Sequence, residues 1–311
     1  MKAHLNKLTF AIIALSSLVF FSSCDKDEEK DVVNDMPKNI VETASADARF
    51  SILAEALTKA NLINALQAEG PFTVFAPTND AFEALFNELG VSGVADIDAA
   101  TLTPILLNHV VSGKVTSSQV ATGYVSTLNN TAPGGNSVKI FLNKGTDVRV
   151  DGSKVIIADI SASNGVIHAI DKVILPASVV NHAINNSNFS ILVQAVVKAG
   201  LVEALSAEGP FTVFAPTNQA FEELFSALGI SGIDALTAEQ LTPILLYHVV
   251  AGNVLSSQVS NGSVPTLNTD NSLTLSVNGN TVTINANSNV IATDVQGNNG
   301  VIHVIDSVLL P

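Results

Sequence analysis

Four histidines stand at matched places in this chain. His109 and His248 each follow an "LTPILL" run, and His168 and His303 lie inside "NGVIHAID" and "NGVIHVID". Imidazole can act as base, acid or metal ligand near neutral pH, so these are the first positions to test for chemistry. A transition-metal site needs several imidazoles, thiolates or carboxylates converging, and neither HxxxH nor HExxH spacing occurs. His303 with Asp306, and His168 with Asp171, look like base–carboxylate pairs. On a strand, however, residues three apart point to opposite faces and cannot bond directly. There is no GxSxG elbow, and the single cysteine is Cys24. The asparagine-rich stretch from Asn268 to Asn289 has Asp270 as its lone carboxylate, too few for a calcium loop. Asparagine tolerates the left-handed backbone of hairpin turns, which accounts for most of these residues. The expectation is four neutral rings bonded to backbone, holding helix to sheet, with no catalytic residue, metal or cofactor. The chain reads as a non-enzyme.

The elements that would position these side chains are legible from periodicity. Ile52, Leu53, Ala56, Leu57 and Ala60 recur at helical spacing, as do Ile191, Leu192, Ala195 and Val196. "FTVFAP" then predicts a short, wholly apolar strand, and Thr78 or Asn79 caps a helix whose Phe82, Leu85 and Phe86 share one side. Thr237 and Gln240 stand at capping-box spacing ahead of "LTPILLYH". Beyond Gly252 the period becomes two: Leu273, Leu275 and Val277 run out to a turn at Asn278-Gly279, and Val282 and Ile284 run back. Val138, Ile140 and Leu142, with a turn at Asp151-Gly152, repeat that pattern earlier. Helices followed by antiparallel strands define an α+β domain.

The whole pattern occurs twice. "GPFTVFAPTNDAFEALF" begins at Gly70 and "GPFTVFAPTNQAFEELF" at Gly209, differing at two positions. A period this long means whole domains rather than a solenoid. The expected organisation is a first domain over residues 37–176 and a second over 177–311, with almost no linker between them. The 47% hydrophobic content is ample for two cores, aliphatic with phenylalanine plugs, because tryptophan is absent. A net charge of −14 with no Lys/Arg block excludes a phosphate-tracking, nucleic-acid-binding surface.

The first residues bear on compartment. Lys2 and Lys7 precede the apolar run "FAIIALSSLVFF", too short for a stable membrane span, and Ser22-Ser23-Cys24 follow. This resembles the signal peptide (residues 1–23) and lipobox of a bacterial lipoprotein, with Cys24 the lipidated residue. The acidic stretch at residues 24–36 then serves as a solvated tether, and it resembles the surface-export signal of Bacteroidetes-type lipoproteins. Localisation is expected to be membrane-anchored, at the outer membrane, facing the cell surface or periplasm.

"TVFAPTNDAFEAL" and "NGVIHAIDKVILP" resemble the two signature boxes of fasciclin (FAS1) domains, in the right order and twice over. The resemblance implies two tandem FAS1 domains, each a β-wedge or sandwich of about seven strands with packed helices. It implies adhesion or surface interaction without catalysis, through a protein, matrix or surface-glycan partner, with weak self-association as a further option. The family's Tyr-His motif falls on Tyr247-His248, whereas the first domain has Asn108-His109 there. The adhesive Asp-Ile pair falls on Asp159-Ile160 and, conservatively, on Asp294-Val295. These six residues, Asp159, Ile160, Tyr247, His248, Asp294 and Val295, are the expected partner contacts. A ligand- or glycan-capturing accessory lipoprotein is the alternative reading.

Overall fold

A computed structural model describes residues 37–279 and 281–311. The expected signal peptide, the lipidated Cys24 and the tether lie outside the described residues. The first domain opens with helices α1 (Ile40–Ser45), α2 (Ser51–Lys59) and α3 (Ile63–Gln67). Strand β1 (Phe72–Pro77) follows, then helices α4 (Asn79–Leu89) and α5 (Ala99–Asn108). Six strands complete it: β2 (Val110–Ser112), β3 (Gly123–Ser126), β4 (Lys139–Lys144), β5 (Val148–Val150), β6 (Ser153–Ala162) and β7 (Gly165–Ile170).

The second domain repeats the order. Helices α6 (Val179–Asn185), α7 (Ser190–Lys198) and α8 (Val202–Ser206) precede β8 (Phe211–Pro216). After α9 (Asn218–Leu228) and α10 (Ala238–Tyr247) come β9 (Val249–Ala251), β10 (Gly262–Pro265), β11 (Ser272–Asn278), β12 (Thr281–Ile284), β13 (Ser288–Gly297) and β14 (Gly300–Ile305). Each domain thus carries a seven-stranded, barrel-like sheet, in the orders β2-β1-β7-β6-β5-β4-β3 and β10-β11-β12-β13-β14-β8-β9.

The two signature boxes lie side by side in this sheet, each flanked by a strand on both sides. β1 pairs in parallel with β7, Phe72 opposite Gly165 through Pro77 opposite Ile170, and β8 pairs with β14 in the same register. Both strands of each pair are buried on two faces, which is why they read as unbroken apolar runs rather than as alternation. Val74, Ala76, Ile167 and Ala169 face the core beneath the helices, while Phe75 and Ile170 face the barrel interior. Val213, Ala215, Ile302 and Val304 divide from Phe214 and Ile305 in the same way. Each domain therefore has two cores separated by its two boxes.

The polar residues of the boxes fix the helices onto this wall. Thr78 caps α4 by accepting from Ala81 N, and Thr217 does so for α9. Asn79 acts at longer range. Its Oδ1 accepts from Ile52 N at 3.1 Å and its Nδ2 donates to Ala48 O at 2.9 Å, binding the start of α4 to the start of α2. Asn164 accepts from Ile40 N and donates to Leu66 O and Ala68 O, joining α1 and the end of α3 to the β6–β7 turn. Asn218 and Asn299 repeat both roles. A Cβ on Gly70 would sit 2.1 Å from Asn164 O, so the first residue of "GPFTVF" must be glycine.

Candidate functional site

The Asp-Ile motif forms a bulge. In β6 the register against β7 shifts between Val155 and Ile160, and Asp159 takes the left-handed backbone (φ 62°). Asp294 in β13 does the same (φ 59°). A non-glycine residue held there costs energy and persists only where neighbours enforce it. The enforcement is visible. Ser117 N donates to Asp159 Oδ1 at 2.9 Å and Ser117 Oγ donates to Oδ2, while Asp159 N donates to His168 Nδ1 at 3.2 Å. The opposite ring nitrogen of His168 donates to Val115 O at 2.9 Å. Ser256, Asp294, His303 and Val254 O reproduce the arrangement.

An aspartate, a serine and a histidine therefore meet, but in an order unlike that of a charge-relay triad. Relay needs the serine hydroxyl to donate to imidazole and the imidazole to donate to carboxylate. Here the hydroxyl donates to the carboxylate, and the imidazole receives a backbone N–H and gives its own proton to a carbonyl. The bonds hold a loop against a bulge. They hold the carboxylate as an anion too: the Ser117 hydroxyl and amide keep Asp159 below the ordinary carboxylate range. For Asp294, burial pushes upward, but the Ser256 hydroxyl and amide and the nearby Lys139 outweigh it, and the net shift is downward.

His109 and His248 sit where helix ends and sheet begins. His109 Nδ1 bonds Ile105 O at 2.7 Å and Nε2 accepts from Ile174 N at 2.8 Å; His248 bonds Ile244 O and Leu309 N likewise. Burial drives both rings down to a pKa of about 4 against the ordinary 6.5. Each is a neutral tie between the helix and the segment after the last strand, as its apolar surroundings imply. Asp171 bonds Ser153 Oγ and Lys154 N, and Asp306 bonds Asn289, so neither meets its histidine. Among the described residues, no group of three or more histidine, cysteine, aspartate or glutamate side chains could hold a metal ion.

Three of the six expected contact residues are inside the protein. Tyr247, His248 and Val295 are buried, so their side chains support the surface rather than form it. Tyr247 Oη donates to Ser272 O and accepts from Asn285 Nδ2, bracing α10 against the β11–β12 hairpin. The two bulges also differ in access. Asp159 is exposed and Ile160 packs only partly on the core, while Asp294 is half-buried. The cause is the other domain: β4 of the first runs against β13 and α6 of the second, placing Lys139 near Asp294. Pro133 O accepts from Asn253 Nδ2, and Asn253 is bonded in turn to Gln296, two residues beyond Asp294. One motif is open and the other is covered.

Ser117 and Ser256 were not among the expected site residues. Their signal was "SSQV", which occurs at Ser117–Val120 and again at Ser256–Val259. Nothing local says that a serine there reaches an aspartate some 40 residues on.

Two α+β units of one plan, each with its two boxes as a parallel strand pair and a clamped bulge just before the second box, define a tandem-domain protein. The chain belongs to the fasciclin family, since the Fasciclin domain model matches residues 48–176 and 187–311. Protein sll1483 of Synechocystis sp. is 48% identical over 142 residues, covering 46% of this chain and 76% of that protein. Human periostin is 29% identical over 79% of this chain and 29% of its own length. The transforming growth factor-beta-induced protein ig-h3 of Sus scrofa is 31% identical over 90% of this chain and 39% of its own. The chain thus spans well under half of these two animal relatives. A FAS1 domain pair from the insect cell adhesion molecule fasciclin I aligns with a TM-score of 0.48 at 20% identity, covering 87% of this chain and 96% of that one.

Proposed function

We propose that this chain is a non-enzymatic surface-interaction protein that holds a protein or matrix partner at the open bulge of its first domain, around Asp159 and Ile160. Fasciclin domains are adhesion and interaction modules, and membership of that family supports the general reading. The observation that carries the specific one is the asymmetry of access. The two copies share the clamp, yet Asp159 is exposed beside a half-buried Ile160, whereas Asp294 is half-buried beside a buried Val295. A pre-formed anion on a rigid bulge suits a partner offering a cationic or amide-rich surface beside an apolar patch, because little ordering is left to be done on binding.

Attachment of cells or matrix to the immobilised chain is the test. Asp159→Ala with Ile160→Ser is expected to abolish it, and Asp294→Asn in the covered copy is expected to leave it unchanged. Equal loss from both would sink the assignment to the first domain. We further propose attachment to the outer membrane through lipid on Cys24. Two or three acyl chains anchor firmly, at ~0.8 kcal/mol per buried methylene. Cys24→Ala should move the protein from the membrane fraction to the soluble one, and continued membrane fractionation would refute the anchor.

A further inference from the structure

The duplicated sequence lets each domain serve as a control for the other, and one difference stands out. In the second domain a cavity of about 50 Å³ opens between α6, α7 and the β8–β14 wall. At the matched place in the first domain about 10 Å³ remains. The residues explain the change, and the changes have one direction. On the floor, Ile40, Leu57 and Ile63 are matched by Val179, Val196 and Val202, each one methylene shorter. On the rim, Ser45, Ala54 and Thr58 are matched by Ile184, Val193 and Val197, each more apolar. Ile184 and Val197 line the cavity and yet remain 56% and 60% exposed, so they mark its mouth.

Packing alone does not call for this pattern. A floor trimmed in drift would cost stability through the cavity it leaves, and nothing would then make the rim greasier as well. Among the described residues the only polar side chain in the lining is His248, and both of its ring nitrogens are taken by Ile244 O and Leu309 N. The cavity therefore offers no hydrogen bond and no charge, and a space of that kind stays dry and takes apolar matter. Size narrows the choice: an engineered core cavity of roughly 150 Å³ takes a benzene ring, and at about 50 Å³ this one admits only the narrow end of a chain, the rest lying along the apolar rim.

We propose that this cavity is a binding site for a single linear alkyl chain, inserted between Ile184 and Val197, from a lipid whose head group is neutral. Among the described residues no charged side chain lines the cavity or its mouth, which leaves an ionic head without a partner there. The site lies on the helical side of the second domain and is independent of the bulge of the first.

The full chain carrying Cys24→Ala is titrated with 1-decanol, with decanoate and with benzyl alcohol, following heat release and Tm. Saturable binding of 1-decanol that raises Tm is expected, with decanoate and benzyl alcohol each ~tenfold weaker or worse. Val179→Ile/Val196→Leu/Val202→Ile restores the first domain's floor, so it should fold with an unchanged or higher Tm and lose at least ~tenfold in 1-decanol affinity. Val197→Lys changes an exposed rim position and should also weaken binding while leaving the fold intact. Absence of saturable binding to the parent chain, or undiminished binding by the filled variant, overturns the site. Benzyl alcohol binding as tightly as 1-decanol overturns the alkyl-chain assignment, and equal binding of decanoate overturns the neutral head.

Discussion

At the scale of the residue, the fully buried histidines of this fold are structural ties whose protonation the interior opposes. His109, His182 and His248 are all held down to a pKa of about 4 by burial. Their folded values lie below the unfolded value of about 6.5, so each contributes stability that is present above pH 6.5 and lost as pH falls toward 4. A difference of this size is worth about 3 kcal/mol per ring at the acid end. Urea midpoints should therefore fall steeply between pH 6.5 and 4.5. His248→Gln, which keeps a side chain able to reach the backbone, should be weaker at pH 7 and lose less on acidification; a slope equal to the parent's would refute the account. Tyr247 adds a second case. Removing its hydroxyl in Tyr247→Phe leaves Ser272 O and Asn285 Nδ2 without their partner, at a cost of about 1–3 kcal/mol in denaturant stability.

At the scale of the element, what was legible in the sequence was whatever repeats with a short period. The helix carrying Phe82, Leu85 and Phe86, the capping box at Thr237 and Gln240 and the β11–β12 hairpin stand where their spacing put them. What was not legible is made by residues far apart in the chain. The two boxes read as separate segments, and only the structure makes them one parallel pair. Asn79 reads as a cap and is a staple to α2. Asp159 reads as a surface contact and is also the anion of a clamp whose serine lies 42 residues upstream. Asn164 tests how far the fold rests on such distant bonds. Asn164→Ala would leave Ile40 N, Leu66 O and Ala68 O without it, and should cost about 2–4 kcal/mol measured by urea unfolding. Ser163→Ala, changed one residue earlier at an exposed position, should cost less than about 0.5 kcal/mol. Equal small costs would mean that water replaces the asparagine and that the boxes hold together by apolar packing alone.

At the scale of the molecule, the domain contact decides what the duplication can do. Tyr124 of the first domain packs on the helical core of the second, edge-on to the His182 ring at 5.5 Å, donating to His182 O and accepting from Asn186 Nδ2. At the matched strand position, opposite Thr274 as Tyr124 is opposite Phe141, the second domain has Ser263, so this donor face is not repeated for a further copy. On the proposed reading the pair offers one open bulge rather than two equal sites. Asp151 lies where the domains meet, beside Asn185 of the second. Burial raises its pKa to about 7, its Oδ1 accepts from Phe141 N, and its Oδ2 has no full hydrogen bond. The second domain solves the same turn with Asn285, whose Oδ1 accepts from Thr274 N and whose backbone is also left-handed. Because the folded value lies above the unfolded one, the stability tied to Asp151 is complete below about pH 4 and is lost as pH rises through 7. Asp151→Asn removes the ionisable group and keeps the turn. The stability difference between variant and parent should therefore be near zero or small at pH 4, grow in the variant's favour by a few kcal/mol up to pH 7, and stay level beyond. Taking the difference cancels the histidines, which act in the opposite direction over the same range. A difference independent of pH would mean that Asp151 is ionised in the folded pair and that water reaches the seam between the domains.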